Sequence, residues 1–142
     1  MRDILVVKVG TSTLLGTHEA PSTSFDHIAA SICELMHEYR IVLVTSGAIG
    51  FGVVQVGLHE RPTEVGKLQA LSMIGQVGLL RRWREAFEGV TIGQVLLTQH
   101  DMTAERTRES FCASVEQLWG YDAVPIVNEN DAVSNEEISF GD

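Results

Sequence analysis

Two hydrophobic periodicities alternate along the chain. Ile4-Leu5-Val6-Val7-Lys8-Val9 is an aliphatic, largely β-branched run closed by Gly10. That is the pattern of a strand covered on both faces of a parallel sheet, and it reads as the first central strand. A polar loop of Gly, Thr and Ser follows, and then Phe25, Ile28, Ala29, Ile32, Leu35 and Met36 recur at helical spacing, with Ser24 placed to cap and Asp26 in the first turn. Ile41-Val42-Leu43-Val44 predicts a second strand. It runs directly into Thr45-Ser46-Gly47-Ala48-Ile49-Gly50-Phe51-Gly52, whose glycines permit a tight turn into a helix. From about Thr63 to Phe87 a long helical stretch sets Leu68, Leu71, Gly75 and Leu79 on one face, and Gly89 ends it. Ile92 to Leu97 predicts a third strand, Thr103 to Trp119 a long helix closed by Gly120, and Ala123 to Val127 a fourth strand. Pro125 has no N–H to donate, which places it at the edge of a sheet or the end of a strand.

Strands alternating with helices in this order imply a three-layer α/β/α sandwich on a mostly parallel sheet. With 142 residues, 44% of them hydrophobic, the chain suits one domain, residues 1–142, around a single core.

Charge and cysteine content narrow the function classes. Ten Lys plus Arg against nineteen Asp plus Glu give a net charge of -9, which repels nucleic-acid backbones and anionic lipid. Neither nucleic acid nor membrane is an expected partner. No apolar run approaches the ~18 residues of a membrane span, and Arg2-Asp3 precedes no secretory h-region. Cys33 and Cys112 form no CxxC pair and no zinc-type spacing, so no metal site is expected. Both fall in predicted helices and read as small core residues. The expected location is the reducing cytoplasm.

In open α/β sheets, ligands collect beyond the carboxyl ends of the strands. The polar segments lie there: Lys8-Val9-Gly10-Thr11-Ser12, Thr45-Ser46-Gly47-Ala48, Thr98 to Asp101, and Asn128-Glu129-Asn130-Asp131. A lysine in an aliphatic strand either reaches solvent or neutralises an anion. Beside a glycine turn and hydroxyls, the second reading makes Lys8 a buried cradle for a phosphoryl group. Ser46 is either an N-cap or, with the N–H groups after it, part of an anion-binding helix terminus. The Asn-Glu-Asn-Asp tetrad is either a solvated turn or a site for an ammonium group.

Two nucleotide motifs are excluded by the letters. Gly47, Gly50 and Gly52 do not follow G-x-G-x-x-G, and Gly66-Lys67 has Arg61 where a Walker A loop needs glycine and Leu68 where it needs a hydroxyl. His18, His27, His37, His59 and His100 have no context that marks a base, and are expected at the surface.

Val7-Lys8-Val9-Gly10-Thr11-Ser12, Val44-Thr45-Ser46-Gly47-Ala48-Ile49, Gly75-Gln76, Gln94-Val95-Leu96-Leu97-Thr98 and Pro125-Ile126-Val127-Asn128-Glu129-Asn130-Asp131-Ala132-Val133 resemble, in order and spacing, the glutamate 5-kinases of the amino acid kinase family. The resemblance implies transfer of a phosphoryl group from ATP with Mg2+ to the side-chain carboxylate of L-glutamate, the first step of proline synthesis. It implies that Lys8, Gly10 and Gly47 serve the chemistry, that Ser46, Ala48, Asn128 and Asp131 bind substrate, and that Lys8, Gly10, Thr11 and Ser12 meet the nucleotide. It implies a homo-oligomer as well. Cys112 departs from the asparagine common in that family. On this reading residues 1–142 are the substrate-binding part, the ATP-binding part lies beyond Asp142, and the chain alone has no turnover. The alternatives are a kinase of the same fold acting on aspartate, acetylglutamate or a nucleotide monophosphate, and a non-catalytic glutamate-binding or assembly module.

Overall fold

A computed structural model describes residues 2–15 and 24–134. Its elements are β1 (Asp3–Lys8), α1 (Thr11–Leu15), α2 (Ser24–Leu35), β2 (Tyr39–Val44), α3 (Ala48–Val56), α4 (Val65–Ala86), β3 (Ile92–Leu97), α5 (Gln99–Thr103), α6 (Glu105–Gly120) and β4 (Val124–Glu129). The strands form one sheet in the order β1-β2-β4-β3, with every pairing parallel. The predicted strand-helix rhythm therefore holds.

Three details differ from expectation. The loop after β1 contains a short helix, α1, which the Thr and Ser content did not announce. The helix predicted from Thr103 to Trp119 is preceded by a separate turn, α5, because Thr98 and Asp101 form a reciprocal capping box just after β3. And β1 lies at a sheet edge, not in the centre, with Ile4 51% and Val6 59% exposed.

Pro125 sits in the interior strand β4. The Val124 N–H donates to Thr91 O, so by alternation the position of Pro125 faces β2. Pairing between β2 and β4 begins only at Leu43 and Ile126, so the missing donor leaves no gap in a ladder.

One sheet face is sealed. Ile41, Leu43, Val124 and Ile126 meet Phe25, Ala29 and Ile32 of α2 and Leu79, Trp83 and Phe87 in and after α4. Phe25 packs edge-on against Trp83 with centroids 4.6 Å apart. The Trp83 indole N–H donates to the Thr45 hydroxyl at 3.0 Å, so the deepest aromatic leaves no buried donor unmet. α3 and α4 touch backbone to backbone: a Cβ on Gly75 would lie 1.8 Å from Ala48 O, and one on Gly52 2.0 Å from Leu71 O. Glycine is what permits this approach.

The opposite face is covered by α6 over β3 and β4. Leu118 rests on Gly93, the Trp119 N–H donates to Ile41 O at 2.8 Å, and Arg40 stacks on Trp119 while pairing with Glu116 at 2.8 Å. Cys33 is half-buried against the core, as expected, but Cys112 is exposed on α6. It faces the uncovered part of the sheet instead of packing into a core. His27, His37, His59 and His100 are exposed; His18 lies outside the described residues. Among the described residues no helix is long and apolar enough to cross a membrane.

Candidate functional site

The carboxyl ends of β1, β2 and β4 lie side by side and bring together segments far apart in sequence. The Val9 N–H donates to Val44 O at 2.8 Å and the Thr45 N–H to Val127 O at 2.8 Å. Each strand thus hands over to its polar segment at the same level. Thr11 Oγ1 donates to Ser46 Oγ at 3.0 Å, and Ser46 Oγ donates to Val9 O at 3.3 Å. The serine is therefore aimed by the loop after β1. It does not cap α3: the N-cap is Gly47, with φ 103° and no side-chain cap bond. Only glycine holds that left-handed conformation without strain, and α3 starts directly after it at Ala48, its first N–H groups lacking intrahelical partners.

Asn128 is 5% exposed, not part of a solvated turn. Its Nδ2 donates to Gln76 Oε1 at 2.9 Å and its Oδ1 accepts from the Glu129 N–H at 2.9 Å. Gln76 follows Gly75, so the glycine that draws α4 onto α3 also brings the amide that fixes Asn128. Sequence reasoning named Gly75-Gln76 without assigning it this task.

These groups surround a cavity of about 330 Å³ lined by Ser46, Gly47, Ala48, Asn128, Glu129 and Asp131 with Thr11, Arg61 and apolar positions of α1 and α3. That volume is within the range of small-ligand sites, roughly 300–1,000 Å³. It joins two carboxylates, one guanidinium and a helix amino terminus, a charge set that matches a zwitterion carrying an additional carboxylate. Arg61 was read in the sequence only as evidence against a Walker A loop. Its signal was weak: a cation beside the uncharged stretch from Ala48 to Leu58.

Lys8, Gly10 and Ser12 do not line this cavity. All three are exposed, which corrects the expectation of a buried lysine. The alternation of β1 explains it: Leu5 and Val7 pack toward the sealed core, while Lys8 shares the face of Ile4 and Val6. Its backbone nevertheless stays in register with Val44, next to Thr45 and Ser46. Open space surrounds the Cα of Gly10. Among the described residues no three His, Cys, Asp or Glu side chains converge to hold a metal ion.

The amino acid kinase family profile matches residues 3–142. A glutamate 5-kinase of Synechococcus elongatus is 40% identical over 148 residues, covering 100% of this chain and 40% of the relative. That of Symbiobacterium thermophilum is 43% identical over 144 residues, covering 97% of this chain and 54% of the relative. For Thermus thermophilus the values are 41% over 141 residues, 97% and 38%. The chain thus spans between 38% and 54% of the length of these relatives. The crystal structure of UMP kinase from Ureaplasma parvum superposes with a TM-score of 0.56 at 12% identity, over 89% of this chain and 54% of that one, a likeness of fold alone.

Proposed function

The chain belongs to the amino acid kinase family, and from that premise we propose that it forms the substrate-binding side of a glutamate 5-kinase, which phosphorylates the side-chain carboxylate of L-glutamate in proline synthesis. The observation that carries the proposal is the cavity uniting Ser46, Ala48, Asn128 and Asp131 at the strand ends, in a chain about 40% identical along its whole length to glutamate 5-kinases.

In this reading the acidic corner of Glu129 and Asp131 takes the substrate ammonium, and Ser46 with the α3 N–H groups takes a carboxylate. No covalent bond to the protein is needed; the chain's task is to align two anions and offset their repulsion. Lys8, Gly10, Thr11 and Ser12 end β1 with open space around Gly10, and this accessible edge fits the role of meeting ATP phosphates. ATP supplies the phosphoryl group. Magnesium would travel on the nucleotide phosphates, where it commonly takes one or two protein carboxylates. The remaining length of the relatives would carry the rest of the nucleotide site, so residues 1–142 alone should bind without turning over. Cytoplasmic location and self-association belong to the same reading.

Calorimetry of the chain with L-glutamate, D-glutamate and L-aspartate tests the assignment. L-Glutamate should bind most tightly, and equal or absent binding of the three would remove it. Glutamate-dependent ADP release by this chain alone would refute the division of labour.

A further inference from the structure

The guanidinium of Arg61 has no described ion-pair or hydrogen-bond partner, although it is the one cation among the described residues lining the cavity. Lys67 and Arg81 are tied to Glu64 and Glu85, and of the exposed cations without an ion pair among the described residues Arg61 is the one that lines the cavity. Arg61 instead lies in the segment that follows Gly57, where the left-handed turn at φ 72° ends α3. It meets the cavity wall that also includes Val53 and Val54.

Of the α3 residues that line the cavity, Val53 and Val54 lie farthest along the helix from Gly47. Ser46 and Gly47 mark the near end, beside Val9 O and one residue from Lys8. The rise of a helix puts Gly47 and Val54 about 10 Å apart along α3. With the reacting carboxylate held beside Ser46 and Gly47, the group left for Arg61 is a second carboxylate at the other end of the same molecule. The surroundings need such a cation. The chain carries a net charge of -9 and the cavity includes Glu129 and Asp131, so an amino acid with two carboxylates and one ammonium, a net monoanion, enters against repulsion.

We propose that Arg61 is a specificity-determining residue that receives the α-carboxylate of the amino-acid substrate while Glu129 and Asp131 receive its ammonium. The inference rests on the assignment of the cavity to glutamate. It separates an α-amino dicarboxylate from an ω-amino acid of similar length, because the ω-amino acid has no second carboxylate left to offer the guanidinium fork once its one carboxylate is held beside Ser46.

The test is a cycle of protein and ligand. Wild type and Arg61→Gln are titrated calorimetrically with L-glutamate and with 4-aminobutanoate, which keeps the amine and the reacting carboxylate but lacks the α-carboxylate. Arg61→Gln should weaken L-glutamate about tenfold, a 1.4 kcal/mol effect, and leave 4-aminobutanoate unchanged. Wild type should bind 4-aminobutanoate about as weakly as the variant binds L-glutamate, since either change deletes the same contact. Arg61→Lys should fall between. The melting temperature should not move, because Arg61 is exposed. Equal weakening of both ligands, or no weakening of L-glutamate, overturns the role of Arg61 while the glutamate site stands. Failure of wild type to bind L-glutamate overturns the site itself and this inference with it.

Discussion

On one face of the sheet Leu43, Leu79 and Trp83 have no exposed surface, whereas on the other Ile4 and Val6 keep 51% and 59% of theirs. The difference follows the elements above each face. α2, α3 and α4 stack over the first, with glycine contacts that let backbones meet, while α6 lies over β3 and β4 of the second, reaches β2 at Arg40 and Ile41, and leaves Ile4 and Val6 of β1 exposed. The cavity hangs from the sealed face: Trp83 holds Thr45 and Gln76 holds Asn128. Lys8 belongs to the open face. Polar groups at the cavity are thus fixed by a core, and Lys8 is not. In the proposed reading, the two halves of one reaction centre would differ in how far the described residues preorganise them.

The comparison breaks if the faces respond alike to substitution. Trp83→Ala should cost about 3–5 kcal/mol, as for other buried aromatics, with Thr45 losing its donor in addition. Val6→Thr should change stability by no more than about 0.5 kcal/mol. Urea denaturation of both variants measures this, and costs of similar size would show that the open face is also core.

A finer test uses one substitution twice on one helix. Gly75→Ala drives a methyl into Ala48 O and Gly52 N, both backbone atoms. It should cost at least the roughly 1–3 kcal/mol of overpacking and loosen the Asn128–Gln76 contact beside it. Gly66→Ala meets nothing within 4 Å and should stabilise by about 0.4–1 kcal/mol through the unfolded chain. Opposite signs in thermal melts sharpen the picture of an interlocked α3–α4 pair. Matching signs would end it.

Legibility in the sequence followed the same divide. The strands and the long helices were readable because aliphatic runs and helical spacing survive in any packing, and the gathering of Ser46, Gly47, Ala48, Asn128 and Asp131 at one cavity was readable because they sit at or just past strand ends. What could not be read depended on neighbours distant in sequence. Continuous burial of β1 was expected from its run of aliphatic residues, yet an edge strand with one covered face can carry the same letters. The burial of Lys8 was inferred from that run and fell with it. Asn128 looked like a turn residue because its partner, Gln76, lies on another helix. Arg61 offered no periodicity at all, since a loop cation reveals its task only when a cavity forms around it. Cys112 sits at an amphipathic boundary of α6, where helical spacing does not decide between core and surface.

The smallest expected effect concerns the thinly covered side. α5 buries none of its residues, so its cap rather than a core holds it beyond β3. Asp101 accepts from the Thr98 N–H and hydroxyl, both at 2.8 Å, and Thr98 Oγ1 accepts from the Asp101 N–H at 3.2 Å. The Thr98 N–H first, then its hydroxyl, hold the Asp101 carboxyl below its ordinary 3.8, with slight desolvation opposing and His100 adding a weaker pull. A carboxyl whose pKa is depressed by folding stabilises the folded state above 3.8, and that contribution disappears as pH falls through the lower folded value. Asp101→Asn keeps the shape and removes the charge. Its melting temperature should lie slightly below wild type at neutral pH, and the gap should close in acid as the wild-type carboxyl takes up its proton. A gap that persists unchanged after Asp101 is protonated would assign the cap to shape alone, and α5 would then need a support other than its charged box.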